Sequence, residues 1–93
     1  MDMWQLLGLQ KKLTVEQAAQ LWTRARHDKV TRAAEGVITD AIESRELAAD
    51  IVRWGVYYAD LGTELPEGNI NQHETTVKRR DFDAWLKSIG QTI

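Results

Sequence analysis

Apolar residues recur with the period of a helix in three stretches of this chain, and between the second and third that period breaks. In the first stretch Ala18, Ala19, Trp22 and Ala25 fall on one stripe, flanked by Val15 and Leu21. Thr14 stands where a cap belongs, and Gln17 three residues later can reach back to it. Leu13 and Ala18 sit at the spacing of a hydrophobic staple. These signals predict a helix over 14–26. In the second stretch Ala34, Val37, Ile38, Ala41, Ile42 and Arg45 trace one face behind a candidate cap at Thr31, which predicts a helix over 31–46. Gly36 weakens it by roughly 1 kcal/mol relative to Ala. In the third, Phe82, Trp85, Leu86 and Ile89 stand at i, i+3, i+4 and i+7. Asp81 and Asp83 suit the first turn of that helix, Lys87 its end, and Gly90 its stop. A shorter segment, Asp2 to Leu9, has apolar positions at Trp4, Leu7 and Leu6 and room for one or two turns that lay Trp4 on the core. Gly8, Lys11 and Lys12 then mark a break.

Residues 48–60 change character. Ile51, Val52, Trp54, Val56, Tyr57 and Tyr58 are β-branched or aromatic and closely spaced, which predicts a strand. Strand alternation sets Trp54 and Tyr58 on one face, read as core, and Tyr57 on the other as a candidate partner contact. Gly62 to Gln72 holds the only Pro, two Gly and two Asn, and reads as an exposed loop. Thr75 to Lys78 can return as a second strand, closing a hairpin with a long tip. The expected fold class is therefore α+β: residues 1–93 as one small, mostly helical domain, with three to four helices and one β-hairpin before the C-terminal helix. A chain of 93 residues supports one modest core. Trp22 and Trp85 lie on helical stripes and belong to it.

The sequence excludes more chemistry than it offers. There is no Cys, so disulfides, thiolate zinc sites and thiol catalysis are out. His27 and His73 stand far apart and in no metal-ligand spacing. No Ser/His/Asp set or Gly-rich phosphate loop is present, and neither enzyme activity, a cofactor nor a small-molecule substrate is expected. Asp40, Glu43, Glu46 and Asp50 read as a solvated acidic face. The apolar runs are too short to cross a bilayer, so no membrane association is expected and the cytoplasm is the default compartment. The formal net charge is −2. Any nucleic-acid role must therefore rest on how the charges are distributed.

Two stretches carry a family resemblance. "KLTVEQAAQLW" resembles the opening helix of excisionase-type helix-turn-helix proteins. "TVKRRDFDAWLKSIG" resembles their closing pattern, a wing strand running through basic residues into a final helix. With "AIESREL" between them, the chain also resembles a group of small bacterial proteins of unassigned function. The resemblance implies a winged-helix fold and a DNA-binding, transcription-regulating role. The second helix and the connection before it are longer than in excisionase-type proteins.

Two basic clusters are the candidate contacts for double-stranded DNA. Arg24, Arg26, Lys29 and Arg32 surround the start of the second helix, where backbone N–H groups and the helix dipole favour phosphate. Lys78, Arg79 and Arg80 end the expected wing. Base contacts would come from the start of the second helix. The rival reading is a protein–protein adaptor on the same scaffold, using the acidic helix and Tyr57 toward a protein partner or a second copy.

Overall fold

The computed structural model describes residues 3–26, 28–54, 56–58, 63–65 and 69–91, with the side chains of residues 3, 4, 56–58 and 63–65 outside that description. His27 and the expected roles of the Trp4, Tyr57 and Tyr58 side chains fall outside it too. The elements are α1 (Met3–Leu9), β1 (Lys12–Thr14), α2 (Val15–Thr23), α3 (Lys29–Glu43), β2 (Val56–Tyr58), β3 (Thr63–Leu65), β4 (Thr76–Lys78) and α4 (Arg79–Ser88). The fold is a small α+β structure of four helices and short antiparallel strand pairs. No described helix is long and apolar enough to cross a membrane.

Thr14 caps α2 as its spacing predicts. Its Oγ1 accepts from the Gln17 N–H at 3.1 Å, and Gln17 Oε1 accepts from the Thr14 N–H at 3.0 Å. Leu13 and Ala18 are both wholly buried. The helix ends at Thr23, short of the expected 26, because Arg24 turns into the left-handed region at φ 56°.

The second long helix, α3, is displaced from its expected bounds at both ends. Asp28 is its cap, accepting from the Thr31 N–H at 2.8 Å and the Thr31 hydroxyl at 3.0 Å. Thr31 is therefore a buried first-turn residue. At the far end Arg45 takes φ 65°, and the Glu46 N–H closes onto the Ala41 carbonyl at 2.9 Å. Arg45 thus lies beyond α3, and its expected apolar stripe narrows to Thr31, Ala34, Ile38, Ala41 and Ile42, with Val37 exposed.

The hairpin differs most from expectation. Residues 50–54 do run antiparallel to the chain before α4, through bridges Asp50–Thr76 and Arg53–Ile70, and β2 pairs with β3 at the tip. The pairs advance three residues on one side and six on the other, so extra residues loop out as a turn over 71–75. The "loop" Gly62 to Gln72 consequently contains a strand, and Ile70 and Asn71 are buried. β4, moreover, has β1 as its ladder partner, with Leu13 opposite Val77. This broken register also voids the alternation argument that made Trp54 core. Trp54 is 48% exposed, and its ring meets the edge of His73 at 6.2 Å.

Phe82, Leu13, Leu21, Ile38 and Leu86 form the centre of the core. Trp85 stacks on Phe82 at 5.9 Å, and Trp22 meets Trp85 edge-on at 5.8 Å. Leu7 is the α1 residue described in the core. Gly90, at φ 77°, stops α4 as expected, with the Gln91 N–H bonded to the Leu86 carbonyl at 2.8 Å. The stop comes early enough to leave Ile89 exposed.

Thr75, wholly buried, ties the two halves together. Its Oγ1 accepts from the Val52 N–H at 2.9 Å and donates to the Val52 carbonyl at 2.8 Å. Thr75→Val keeps the shape and removes both bonds, stranding a backbone N–H. We expect a loss of about 1–3 kcal/mol in a denaturant titration, with Thr75→Ser losing clearly less.

Candidate nucleic-acid interface

The β1–β4 register decides where the cations go. Leu13 and Val77 face inward, so their neighbours Lys12 and Lys78, paired directly across the ladder, face out. Two like charges opposite one another oppose the pairing. The exposed ion pair from Lys12 Nζ to Asp50 at 3.6 Å relieves little of that repulsion. The ladder then continues into α4, where the Arg79 N–H donates to the Lys11 carbonyl at 2.8 Å.

A groove of about 890 Å³ opens beside this junction. One wall is Gly8 to Lys12, and the other is Lys78, Arg79, Arg80, Asp83, Ala84 and Lys87. Six cations and one carboxylate line it. The first turn of α4 adds the positive end of a helix dipole, and its cap residue Lys78 makes no side-chain hydrogen bond to the helix.

The cations do different work. Arg79 is a strut: its Nε donates to Asp83 at 2.9 Å and its Nη1 to the Gly8 carbonyl at 2.9 Å, pinning α1 to α4. Arg80 has a side chain 85% exposed, with Asp81 at 3.9 Å as its ion-pair neighbour among the described residues. Lys11, Lys12, Lys78 and Lys87 are exposed.

The other cluster lies elsewhere. Arg24 is the cap at the C-terminal end of α2, whereas Lys12 and Lys78 flank its N-terminal end, and nine helical residues span about 14 Å between them. Arg26, Lys29 and Arg32 are exposed. Arg32 borders a recess shared with Glu35, Asp40, Glu43 and Asn69, so its surroundings are acidic. Glu43 is bound through both oxygens by Arg53, at 2.6 and 3.1 Å. That hydrogen bonding holds the Glu43 carboxyl below its ordinary range and raises Arg53. Asp40 and Glu46 are exposed, as expected of a solvated acidic face.

The structure thus gathers Lys78, Arg79 and Arg80 with Lys11, Lys12 and Lys87, which sequence reasoning missed as site residues. The Lys11–Lys12 doublet was visible only as a break after α1. Its meaning depends on pairing with residues more than sixty positions away. No family model, curated protein or solved structure matches this chain.

Asp28 links the start of α3 to pH. The Thr31 N–H bonded to its carboxylate is the main reason its proton affinity falls below the ordinary value. A lowered folded-state pKa stabilises the fold above the unfolded pKa and loses that stabilisation as pH falls through the folded one. The cap contribution should therefore be intact at neutral pH and fade below about pH 4. Asp28→Asn keeps an acceptor without the charge. Its stability between neutral and acid pH should fall less steeply than wild type in parallel denaturant titrations.

Proposed function

We propose that this chain is a nucleic-acid-binding module of the winged-helix type, a small regulatory or accessory protein that grips double-stranded DNA by its phosphates. The groove beside the β1–β4 junction is the primary contact. One observation carries this reading: the segregation of charge. Six cations and one acid line the groove, although the chain as a whole carries −2; the remainder therefore holds seven more acids than bases. A polyanion meets a strongly positive surface there and a repulsive one over much of the rest. Lys12, Lys78 and Arg80 are its main phosphate ligands, and Arg79 keeps the walls in place.

The element order agrees with the winged-helix reading. Two helices, α2 and α3, precede a hairpin that plays the wing, and α4 closes the domain. Arg24, Arg26, Lys29 and Arg32 form a secondary contact at the other end of α2. Arg24 stands one length of α2, about 14 Å, from the end where Lys12 and Lys78 lie, so this second cluster is a contact separate from the groove. Only the first turn of α3 is suited to base edges, because Asp40 and Glu43 burden the rest.

A protein adaptor is the second reading. Ile51, Val52 and Trp54 are each exposed in the segment at the base of the hairpin, and apolar side chains there favour a partner of apolar character.

Fluorescence anisotropy of labelled duplex DNA, titrated between about 50 and 200 mM salt, separates the two. We expect affinity to fall steeply with salt. Lys12→Ala, Lys78→Ala and Arg80→Ala should each weaken binding several-fold and reduce the salt slope by about 1, with unfolding midpoints level or, for the two lysines, slightly raised. No binding at the lowest salt overturns the nucleic-acid reading and leaves the adaptor. Loss confined to Arg24→Ala and Arg26→Ala variants moves the primary contact to the other end of α2.

A further inference from the structure

The outward side of α3 is unusual for a helix lying on a small core. Val30 is 60% exposed and Val37 46% exposed, with exposed Ala33 between them, at i, i+3 and i+7. The core-facing residues Thr31, Ala34, Ile38, Ala41 and Ile42 occupy the adjoining side, so the stripe flanks the core face and is left exposed.

The charges of α3 also run against its own dipole. Lys29 opens the helix and Arg32 follows, while Asp40 and Glu43 stand in its closing turns; the first turn holds no acid and the last no base. Each of these groups is destabilising where it stands in an isolated helix. Among the described residues neither Lys29 nor Asp40 makes an ion pair.

We propose that α3 is a self-association face, docking antiparallel on α3 of a second copy of this chain. The charge pattern selects that occupant. In an antiparallel pair centred between Ala33 and Gly36, Lys29 meets the partner's Asp40, and the reverse contact follows by symmetry. The exposed valines fall on either side of the crossing, and the two helix dipoles oppose one another favourably. Gly36 fits the same picture. A Cβ there meets nothing within 4 Å among the described residues, so the residue gives up helix propensity with no return from them, and a second helix could approach closely. One pair of helices makes a small interface, so the dimer is weak, with a Kd on the order of 100 μM.

Sedimentation velocity of the full chain, from tens of micromolar to about 1 mM, tests this. The wild type should show a concentration-dependent monomer–dimer equilibrium. Lys29→Glu and Asp40→Lys each set like charges across the interface and should raise Kd roughly tenfold, and the double exchange should restore it. Each single change also agrees with the helix dipole, so thermal unfolding should stay level or rise, which separates lost association from lost folding. A chain that stays monomeric throughout, or a double variant as weak as the singles, overturns the proposal and leaves the stripe to a different partner. Dimerisation would cover Lys29 and the first turn of α3, so it competes with the secondary DNA contact proposed there, while the groove, which contains no α3 residue, stays open and is tested independently.

Discussion

The structure depends on how the start of α2 is held. Four consecutive N–H groups, Thr14 to Gln17, would lack helical partners. Two are satisfied within the capping box. The other two reach across the fold: the Val15 N–H donates to the Thr75 carbonyl at 3.1 Å, and the Glu16 N–H to the Gln72 carbonyl at 3.0 Å. The turn that presents those carbonyls is itself built on buried Asn71, which accepts the Thr75 N–H at its carbonyl and the His73 N–H at its side chain. Each such bond nets only about 1 kcal/mol, but a buried donor left unpaired costs about 1–3. The helix start and the turn therefore form together or not at all. Once they do, β4 is delivered beside β1, and residues 50–54 lie along its other side.

That single juxtaposition fixes both the core and the basic groove. Strand side chains alternate, so the register that buries Leu13 against Val77 necessarily exposes Lys12 and Lys78. A slip of one residue would exchange the pairs and put ammonium groups in the core. Arg79 then carries the arrangement outward, holding the end of α1 against the first turn of α4. The candidate site is thus no separate device attached to the fold. It is the solvent face of the same few residues whose inner face builds the core.

Much of this was legible locally. The capping box, the stripe of α4 and the stop at Gly90 each depend on residues within one or two turns, and each was readable from the sequence. The ends of α2 and α3 were not. Arg24 and Arg45 occupy the left-handed region where glycine or asparagine would have announced a stop. Nothing in an arginine side chain signals such a turn. Trp54 failed for a related reason. Alternation assumes an unbroken ladder, and the turn over 71–75 breaks it. The partner of β4 was hidden because β1 is three residues long and separated from it by the whole middle of the chain. So was the significance of Lys11 and Lys12.

Magnitudes explain how a fold tolerates its own cations gathered on one edge. Two unit charges in water at about 7 Å repel by only about 0.6 kcal/mol, and flexible lysine stems relieve part of that. Burying Leu13 and Val77 contributes about 1.5–3 kcal/mol each. The core therefore dictates the register, and the charges follow at small cost. Such a cost is consistent with a surface shaped to meet an anion, since a phosphate laid along the groove would turn the mutual repulsion of Lys12, Lys78 and Arg80 into shared attraction. On the proposed nucleic-acid reading, the remaining acidic surface would disfavour contact through the faces that carry it, and so would orient a polyanion toward the groove.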